Sequence, residues 1–216
     1  MTSLTGILSL LSALIATSYA LTCSDCMSTS SSLCLGTSVT CSSGYQCGAE
    51  HMQTTSDGKT FDIFSRSCMP PSHCNTSGSI TLHNGQIKMV TACCITDNCS
   101  PIVSAFPTLS NKTNGVVCRS CLSTNSSWCY TKEKIHCTGD ENMCILHSTK
   151  VKGKVSGSTS FRGCATKSFC DFGSQFTRAE GTSTKVQYIC TSGGKSVHQV
   201  LLAPAITSLL LLKLFF

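Results

Sequence analysis

Cysteine is the residue type in this chain whose number and spacing could do the most chemistry, with 18 among 216 residues. Two Cys-x-x-Cys pairs occur, Cys23 with Cys26 and Cys118 with Cys121. Four thiolates at such spacing can hold a structural zinc ion, whereas in an oxidising compartment the same residues form disulfides. The even cysteine count and the high cysteine content favour a disulfide scaffold. We therefore predict that all the cysteines are cross-linked, with no metal and no cofactor.

Catalytic chemistry finds little support in the sequence. The histidines are scattered and share no spacing with a nucleophile or a carboxylate pair: His51, His73, His83, His136, His147 and His198. A hydrolase needs a base and a nucleophile within hydrogen-bond reach of each other. We therefore predict that the chain is not an enzyme.

The cysteine spacing occurs twice along the chain. Successive separations are 3, 8, 7, 6, 21, 6 and 19 residues from Cys23 to Cys93, and 3, 8, 8, 7, 20, 6 and 20 residues from Cys118 to Cys190. Seven consecutive near-matches indicate two copies of one disulfide-framed domain. We place the copies at residues 21–100 and 117–192, with a cysteine-free linker at residues 101–116. Domains of this size bury a core worth only about 3–5 kcal/mol, so the disulfides must hold the fold.

The wide gaps between cysteines predict β-hairpins. Asp57-Gly58 lies between Cys47 and Cys68, and Asn84-Gly85 lies between two alternating apolar segments of the next gap. Such dipeptides tolerate the positive φ angles of tight turns, so each gap is interpreted as a strand pair. Glycine marks the equivalent turns of the second copy at Gly153 and Gly181. The sequence therefore predicts an all-β, disulfide-rich chain.

The first twenty residues are typical of a secretory leader. Residues 1–20 are apolar and uncharged, and they end in the small residues Ser18 and Ala20. The usual basic residue near the start is missing. Cleavage after Ala20 gives a mature chain that begins at Leu21. Export agrees with the disulfide scaffold, because disulfides form in oxidising compartments.

A second apolar run occupies residues 200–216 and contains Pro204 and Lys213. As a helix it would extend about 26 Å, short of a hydrocarbon core of about 30 Å. Small residues, a polar spacer and an apolar tail follow one another in the order of a glycosylphosphatidylinositol signal. We predict the lipid on Ser192, with residues 193–216 removed. A retained tail and an unprocessed secreted form are the alternatives.

The two copies differ in charge. Residues 21–100 carry three basic and five acidic residues, for −2, whereas residues 117–192 carry ten basic and five acidic residues, for +5. Lys150, Lys152 and Lys154 alternate along one predicted strand, so their side chains share a face. Such a row could contact an acidic partner, an anionic lipid surface or a sulfated glycan. Alternatively, it is a solvated tip that stays polar to block edge pairing.

Other residues are candidates for surface roles. Trp128 adjoins Cys129 and is either an interface anchor or a cover for the disulfides. Three Asn-x-Ser/Thr sequences on predicted loops are N-glycosylation acceptors, at Asn75, Asn111 and Asn125.

The first copy resembles a known family in its cysteine pattern, which ends in adjacent cysteines and an aspartate shortly before the last one: Cys23, Cys26, Cys34, Cys41, Cys47, Cys68, Cys74, Cys93, Cys94, Asp97 and Cys99. This pattern is similar to the leukocyte-antigen-six and urokinase-receptor superfamily. The resemblance implies three β-hairpin fingers projecting from a disulfide-bonded palm, in two tandem domains. The two-domain layout is most similar to the gamma-type phospholipase A2 inhibitors and their lipid-anchored relatives.

The resemblance also implies the disulfide pairing. In the first copy it pairs Cys23 with Cys47, Cys26 with Cys34, Cys41 with Cys68, Cys74 with Cys93 and Cys94 with Cys99. In the second copy it pairs Cys118 with Cys144, Cys121 with Cys129, Cys137 with Cys164 and Cys170 with Cys190. The second copy has no counterpart of Cys94 and Cys99, and Ser100 stands where the family usually has asparagine.

By this resemblance the chain is an extracellular, non-enzymatic protein-binding module. A secreted phospholipase A2 that it inhibits is the first candidate ligand. The alternative is a lipid-anchored cell-surface receptor or adhesion protein with a different protein ligand. We expect the outer face of the plasma membrane or the extracellular medium as its location, and no nucleic-acid partner. The oligomeric state stays open.

Overall fold

The computed structural model describes residues 20–29, 34–154, 156–179 and 181–192. The predicted leader, apart from Ala20, and the predicted tail beyond Ser192 lie outside the described residues. Within them the chain forms thirteen strands: β1 Thr22–Ser28, β2 Thr37–Thr40, β3 Gln46–Ser56, β4 Lys59–Met69, β5 Ser77–Leu82, β6 Gly85–Cys94, β7 Thr113–Arg119, β8 Cys121–Ser123, β9 Lys134–Thr138, β10 Met143–Lys152, β11 Gly157–Ala165, β12 Ser174–Ala179 and β13 Thr182–Ser192.

Helical structure is scarce in the described residues. A 3-10 turn covers Pro71–His73, and one short helix, α1, covers Lys167–Cys170. Among these residues there is no helix with the length and apolar character needed to cross a bilayer. The prediction of an all-β, disulfide-rich chain is therefore confirmed.

The chain divides into two compact units. Unit 1 contains the described residues up to 51 together with residues 63–75 and 91–104. Unit 2 contains residues 52–62, residues 76–90 and the described residues from 105 onward. The compact units and the sequence repeats thus differ, because residues 52–62 and 76–90 of the first repeat belong to unit 2.

Unit 1 is built around β1. This strand pairs antiparallel with β2, from Thr22↔Thr40 to Asp25↔Thr37, and its far end pairs with β4 at Cys26↔Arg66. The core of the unit is made of sulfur rather than aliphatic side chains, with Cys23, Cys41 and Cys47 buried together. Disulfides therefore supply both the covalent frame and the buried contacts of unit 1.

Unit 2 contains a sheet in the order β12–β13–β10–β11–β5–β6, with β8 also paired to β11. These strands pair antiparallel, with Cys144 opposite Cys164 between β10 and β11 and Ile145 opposite Cys190 between β10 and β13. Strands β7 and β9 form a separate two-stranded sheet.

The main hydrophobic core of unit 2 lies on one side of this sheet. Its buried members are Ile80, Met89, Ile145, Ala165, Phe169 and Phe172. Ile80 and Met89 come from the first sequence repeat, and the others come from the second. A smaller core joins Val116 of β7 to the sulfur atoms of the second repeat.

The two turns predicted in the first repeat differ in their geometry. Asp57 and Gly58 both have positive φ, 50° and 77°, as the Asp-Gly prediction requires. The β5–β6 hairpin also forms, but Leu82 pairs with Gly85, so its turn residues are His83 and Asn84. Gly85 is the first residue of strand β6, and a Cβ atom there would collide with the backbone carbonyl of Thr55. Its role is to allow two backbone segments to approach closely, not to adopt a turn conformation.

Nine disulfides cross-link the described chain, and no free cysteine is present there. They join the same pairs that the family resemblance implies, including the extra Cys94–Cys99 bridge of the first repeat. Two groups of three cysteines bring their sulfur atoms close together, Cys23, Cys41 and Cys68, and Cys118, Cys137 and Cys164. Since these sulfur atoms are all in disulfides, they offer no thiolate to a metal.

Candidate protein-binding surface

Strand β10 shows how unit 2 divides its side chains between two faces. Successive strand residues point to opposite faces of a sheet. Ile145 and His147 face the aromatic side of the sheet, where the His147 ring stacks on Phe161 with centroids 4.5 Å apart. Leu146, Lys150 and Lys152 alternate with them and belong to the opposite face. We call this opposite face of β8 and β10–β13 the lysine face.

A cleft of about 400 Å³ opens at the β7 end of the lysine face. Arg119 of β7, Trp128 of the β8–β9 connection and Arg162 of β11 line it, together with Leu146 and Ile189. We call this set of five residues the arginine cleft. Trp128 is 57% exposed and Ile189 is 49% exposed. Both therefore offer apolar surface that no other described residue covers.

Each arginine of the cleft lies over an aromatic ring. The Arg162 guanidinium lies 4.2 Å from the centroid of Trp128, and that of Arg119 lies 5.1 Å from the centroid of Tyr130. The Arg119 guanidinium also donates a hydrogen bond to the Thr131 carbonyl at 3.1 Å. These contacts hold both guanidinium planes in fixed positions, which lowers the entropy cost of binding a partner.

Burial is the main cause that lowers the pKa of Arg162, and the positive charge of Arg119 lowers it further. Arg162 Nε is buried and has no hydrogen-bond partner in the described part of the chain. Two neighbouring cations make the cleft a favourable site for a carboxylate or another anionic group.

The three lysines singled out in the sequence lie near the far end of the lysine face. Lys150 and Lys152 lie two residues apart on β10 and so share a face, and both are exposed. The prediction that Lys154 continues the same strand is wrong, because β10 ends at Lys152 and Lys154 lies exposed in the β10–β11 connection. Pairing registers add Lys185 of β13, directly opposite Lys150, and Arg178 of β12, opposite Ser183.

The sequence left Trp128 as either an interface anchor or a cover for the disulfides, and it gave no sign of the arginine partners of this residue. Arg119, Arg162 and Ile189 lie far apart in sequence, and only strand register and the fold of β7 bring them together. The signal that was present is the lack of acidic residues: β8 and β10–β13 contain no aspartate or glutamate.

A second polar feature of unit 2 is the buried carboxylate of Glu141. It is only 3% exposed, and its Oε1 accepts hydrogen bonds from Ser79 Oγ at 2.6 Å and Thr81 Oγ1 at 2.9 Å. Burial raises the pKa of this carboxyl group, and the two hydroxyl donors act in the opposite direction. Because Ser79 and Thr81 belong to β5, Glu141 fixes the third hairpin of the first repeat in unit 2.

The sequence-predicted modification sites are accessible in the structure. Asn75, Asn111 and Asn125 are exposed, and Ser192 is the exposed last residue of β13. Exposure permits modification but does not test it, so glycosylation and lipid attachment stay predictions.

Cross-linked hairpins that present an exposed arginine–aromatic cleft define a class of molecule, the disulfide-framed binding module with three-finger domains. Comparison with known proteins gives the family. The chain belongs to the u-PAR/Ly-6 domain family, which matches residues 19–101 and again residues 114–197. The predicted family and tandem three-finger architecture are therefore confirmed.

Similar curated proteins come from snakes. The chain is 29% identical over 116 residues to phospholipase A2 inhibitor NAI of Notechis ater, covering 51% of this chain and 56% of that protein. It is 28% identical over 116 residues to a phospholipase A2 inhibitor of the gamma type from Laticauda semifasciata, covering 51% and 62% respectively. The chain thus matches a little over half the length of these relatives.

A shorter match is 31% identical over 94 residues to the 25 kDa phospholipase A2 inhibitor chain of Naja kaouthia, covering 42% of this chain and 49% of that protein. Among solved structures, the crystal structure of mouse TEX101 matches 80% of this chain and 98% of its own, with 14% identity and a TM-score of 0.31. Membership of this family and similarity to inhibitor proteins support a binding module.

Proposed function

We propose that this protein is an extracellular binding module whose arginine cleft docks a protein ligand, and that the ligand is a secreted phospholipase A2, which it inhibits. The observation that carries the proposal is the cleft itself, where Arg162 stacks on a Trp128 ring that stays more than half exposed. Tryptophan, tyrosine and arginine dominate the energetically important positions of protein interfaces. The names of the snake relatives support the choice of enzyme class.

The cleft has the anatomy expected of a docking site. Leu146 and Ile189 supply an apolar centre, and the two guanidinium groups lie beside it. An interface of this kind excludes water from its centre and keeps polar groups near its edge. An acidic loop of the partner enzyme would meet two positioned cations.

The test is inhibition of a purified secreted phospholipase A2 by protein purified from mammalian cells that express the full-length chain. We expect saturable inhibition at a stoichiometric ratio. Trp128→Ala should weaken binding by about 2 kcal/mol, or about thirtyfold in Kd, as loss of a central aromatic anchor does. Phe61→Ala is the matched control, because Phe61 is also an exposed aromatic residue but lies on β4.

The outcomes separate the ligand from the site. Inhibition that Trp128→Ala leaves intact would show that the enzyme class is right and the cleft wrong. Absence of both binding and inhibition with the disulfides intact would reject the phospholipase ligand.

A lipid-anchored receptor or adhesion protein is the second candidate function. The observation that favours it is the position of Ser192, exposed at the end of β13 and followed by the predicted signal. Cleavage after Ser192 would leave β13 joined directly to the lipid. Treatment of intact cells with a phosphatidylinositol-specific phospholipase should release the protein, and an undiminished surface signal would reject the anchor.

A further inference from the structure

The far end of the lysine face concentrates positive charge in a small area. Lys150 and Lys152 lie two residues apart on β10, which separates them by about 7 Å. Lys185 is directly opposite Lys150 on β13, at about 5 Å between Cα atoms. Arg178 on β12 and Lys152 on β10 both lie opposite Ser183 of the intervening strand β13. They are therefore two strands, or about 10 Å, apart. All four side chains are exposed.

No acidic group on these strands balances this charge. Strands β8 and β10–β13 contain no aspartate or glutamate, and none of the four cations makes an ion pair within the described residues. Like charges directly opposite each other on neighbouring strands destabilise a sheet. The Lys150–Lys185 pair is therefore an unfavourable feature of the free protein, and a bound polyanion would relieve it.

The remaining side chains of this area are small and polar, with one exception. Ser158 lies directly opposite Lys150, Ser183 lies directly opposite Lys152, and Gln187 is the next residue of β13 on the same face, opposite Ser148. Phe176 of β12 lies opposite Lys185 of β13, and its side chain is 66% exposed. An exposed ring beside cations and hydroxyl groups can stack against the C–H face of a sugar while the cations bind its charged substituents.

We propose that Lys150, Lys152, Lys185 and Arg178 bind a sulfated glycosaminoglycan, with Phe176 stacking on a sugar ring. A linear polyanion lying across the strands can reach all four cations. A docked protein would need an apolar centre, which the arginine cleft has and this area does not. The site is separate from the cleft and does not depend on the phospholipase proposal.

Binding is measured with a heparin-derived decasaccharide and with the same decasaccharide after desulfation, using the full-length chain expressed in and purified from mammalian cells. We expect binding of the sulfated form alone at about 0.15 M NaCl. The variant Lys150→Gln/Lys152→Gln/Lys185→Gln should lose about tenfold or more in affinity, and its salt dependence should fall by about two to three units of log-log slope.

The matched control is Lys59→Gln/Lys112→Gln/Lys132→Gln, which removes the same charge from three exposed lysines on other elements. The affinity of this control variant for the decasaccharide should stay within about twofold of that of the unchanged protein, if the position of the lysines rather than net charge decides binding. Phe176→Ala should weaken binding while leaving the salt slope unchanged. Thermal unfolding of the lysine variant should show no loss of stability, since the variant removes a repulsive pair.

Two results would overturn the proposal. Equal losses in the triple variant and its control would show general charge attraction and no defined site. Binding to phosphatidylserine vesicles with none to the decasaccharide would assign the same cations to a membrane surface.

Discussion

The two sequence repeats share a covalent frame but use it for different surfaces. Each repeat stacks a histidine on a phenylalanine of its central hairpin, His51 on Phe64 at 4.0 Å and His147 on Phe161 at 4.5 Å. Four disulfides of each repeat correspond in order and in loop length. The repeats nevertheless carry net charges of opposite sign, and the candidate sites lie in the second. Cross-links thus fix the fold and leave the strand faces free to vary.

The repeats also secure their first strands differently. In the first repeat the Thr22 N–H donates to Asp97 Oδ1 at 2.7 Å, and Asn98 N–H donates to the Thr22 carbonyl at 2.6 Å. Both partners lie in the small loop closed by Cys94–Cys99. The second repeat has no such loop, and Asn114 takes its place: its Nδ2 donates to the carbonyls of Gly139 and Glu141. A side-chain amide thus replaces a disulfide loop.

The largest predicted effect tests the shared frame. Cys41–Cys68 and Cys137–Cys164 both span 27 residues. Replacing either pair by serine should lower the free energy of unfolding by about 3.5 kcal/mol, because the entropy of the unfolded chain depends on loop length. The short loop of Cys94–Cys99 predicts only about 2 kcal/mol. Urea unfolding measures the free energy of all three variants. Unequal losses for the two 27-residue bridges would show that local packing, not loop length, sets the contribution of each disulfide.

The second prediction contrasts the two histidine stacks. Burial lowers the pKa of His147 to about 4, whereas the unfolded chain has an ordinary value near 6.5. Between pH 6.5 and pH 4 the unfolded chain binds a proton on His147 and the folded chain does not. The free energy of unfolding therefore falls as the pH is lowered from 6.5 towards 4. We expect this component to reach about 3 kcal/mol. His147 also lies edge-on to Tyr188, so a phenylalanine can replace its ring contacts.

His147→Phe keeps the stack on Phe161 and removes the titrating group. Unfolding free energies of the variant at pH 7.5 and pH 4 should differ by about 3 kcal/mol less than those of the unchanged protein. His51→Phe is the control for the equivalent stack and should leave the His147 component in place. Identical acid sensitivity in the His147 variant and the unchanged protein would contradict the assignment.

The smallest predicted effect concerns the two ways of fixing a first strand. Asn114→Ala removes two donated hydrogen bonds and one that its Oδ1 accepts from the Val116 N–H at 3.0 Å. We expect a loss of about 2 kcal/mol, whereas Asp97→Ala, at an exposed contact, should cost about 1 kcal/mol or less. Asn114→Asp keeps the acceptor but places a carboxylate oxygen against the two carbonyl oxygens, so it should cost at least as much as Asn114→Ala. A larger effect of Asp97→Ala in thermal unfolding would reverse the comparison.

The repeat and its hairpins were predictable because cysteine spacing and turn dipeptides are local signals, whereas the three-finger architecture and the disulfide pairing were implied only by the family resemblance. The Asp57-Gly58 turn followed from the same kind of local chemistry, whereas the turn at His83 and Asn84 did not. There the decisive constraint is the approach of Thr55, which no short stretch of sequence reveals.

The candidate sites were predictable only in part. That Lys150 and Lys152 lie on one face could be predicted, since residues two apart in a single strand point to the same side of a sheet. Lys185 and Arg178 join that face through pairing registers, and Arg162 meets Trp128 only in the folded chain. Contacts between distant segments are not encoded in any local pattern.

The shared core of unit 2 bears on how such tandem proteins can evolve. Ile80 and Met89 are encoded with the first repeat but pack with Ile145 and Phe169 of the second. A gene rearrangement that transferred the second repeat alone would leave its apolar surface uncovered. The two repeats therefore cannot be separated without exposing this core, although the sequence looks like two interchangeable modules.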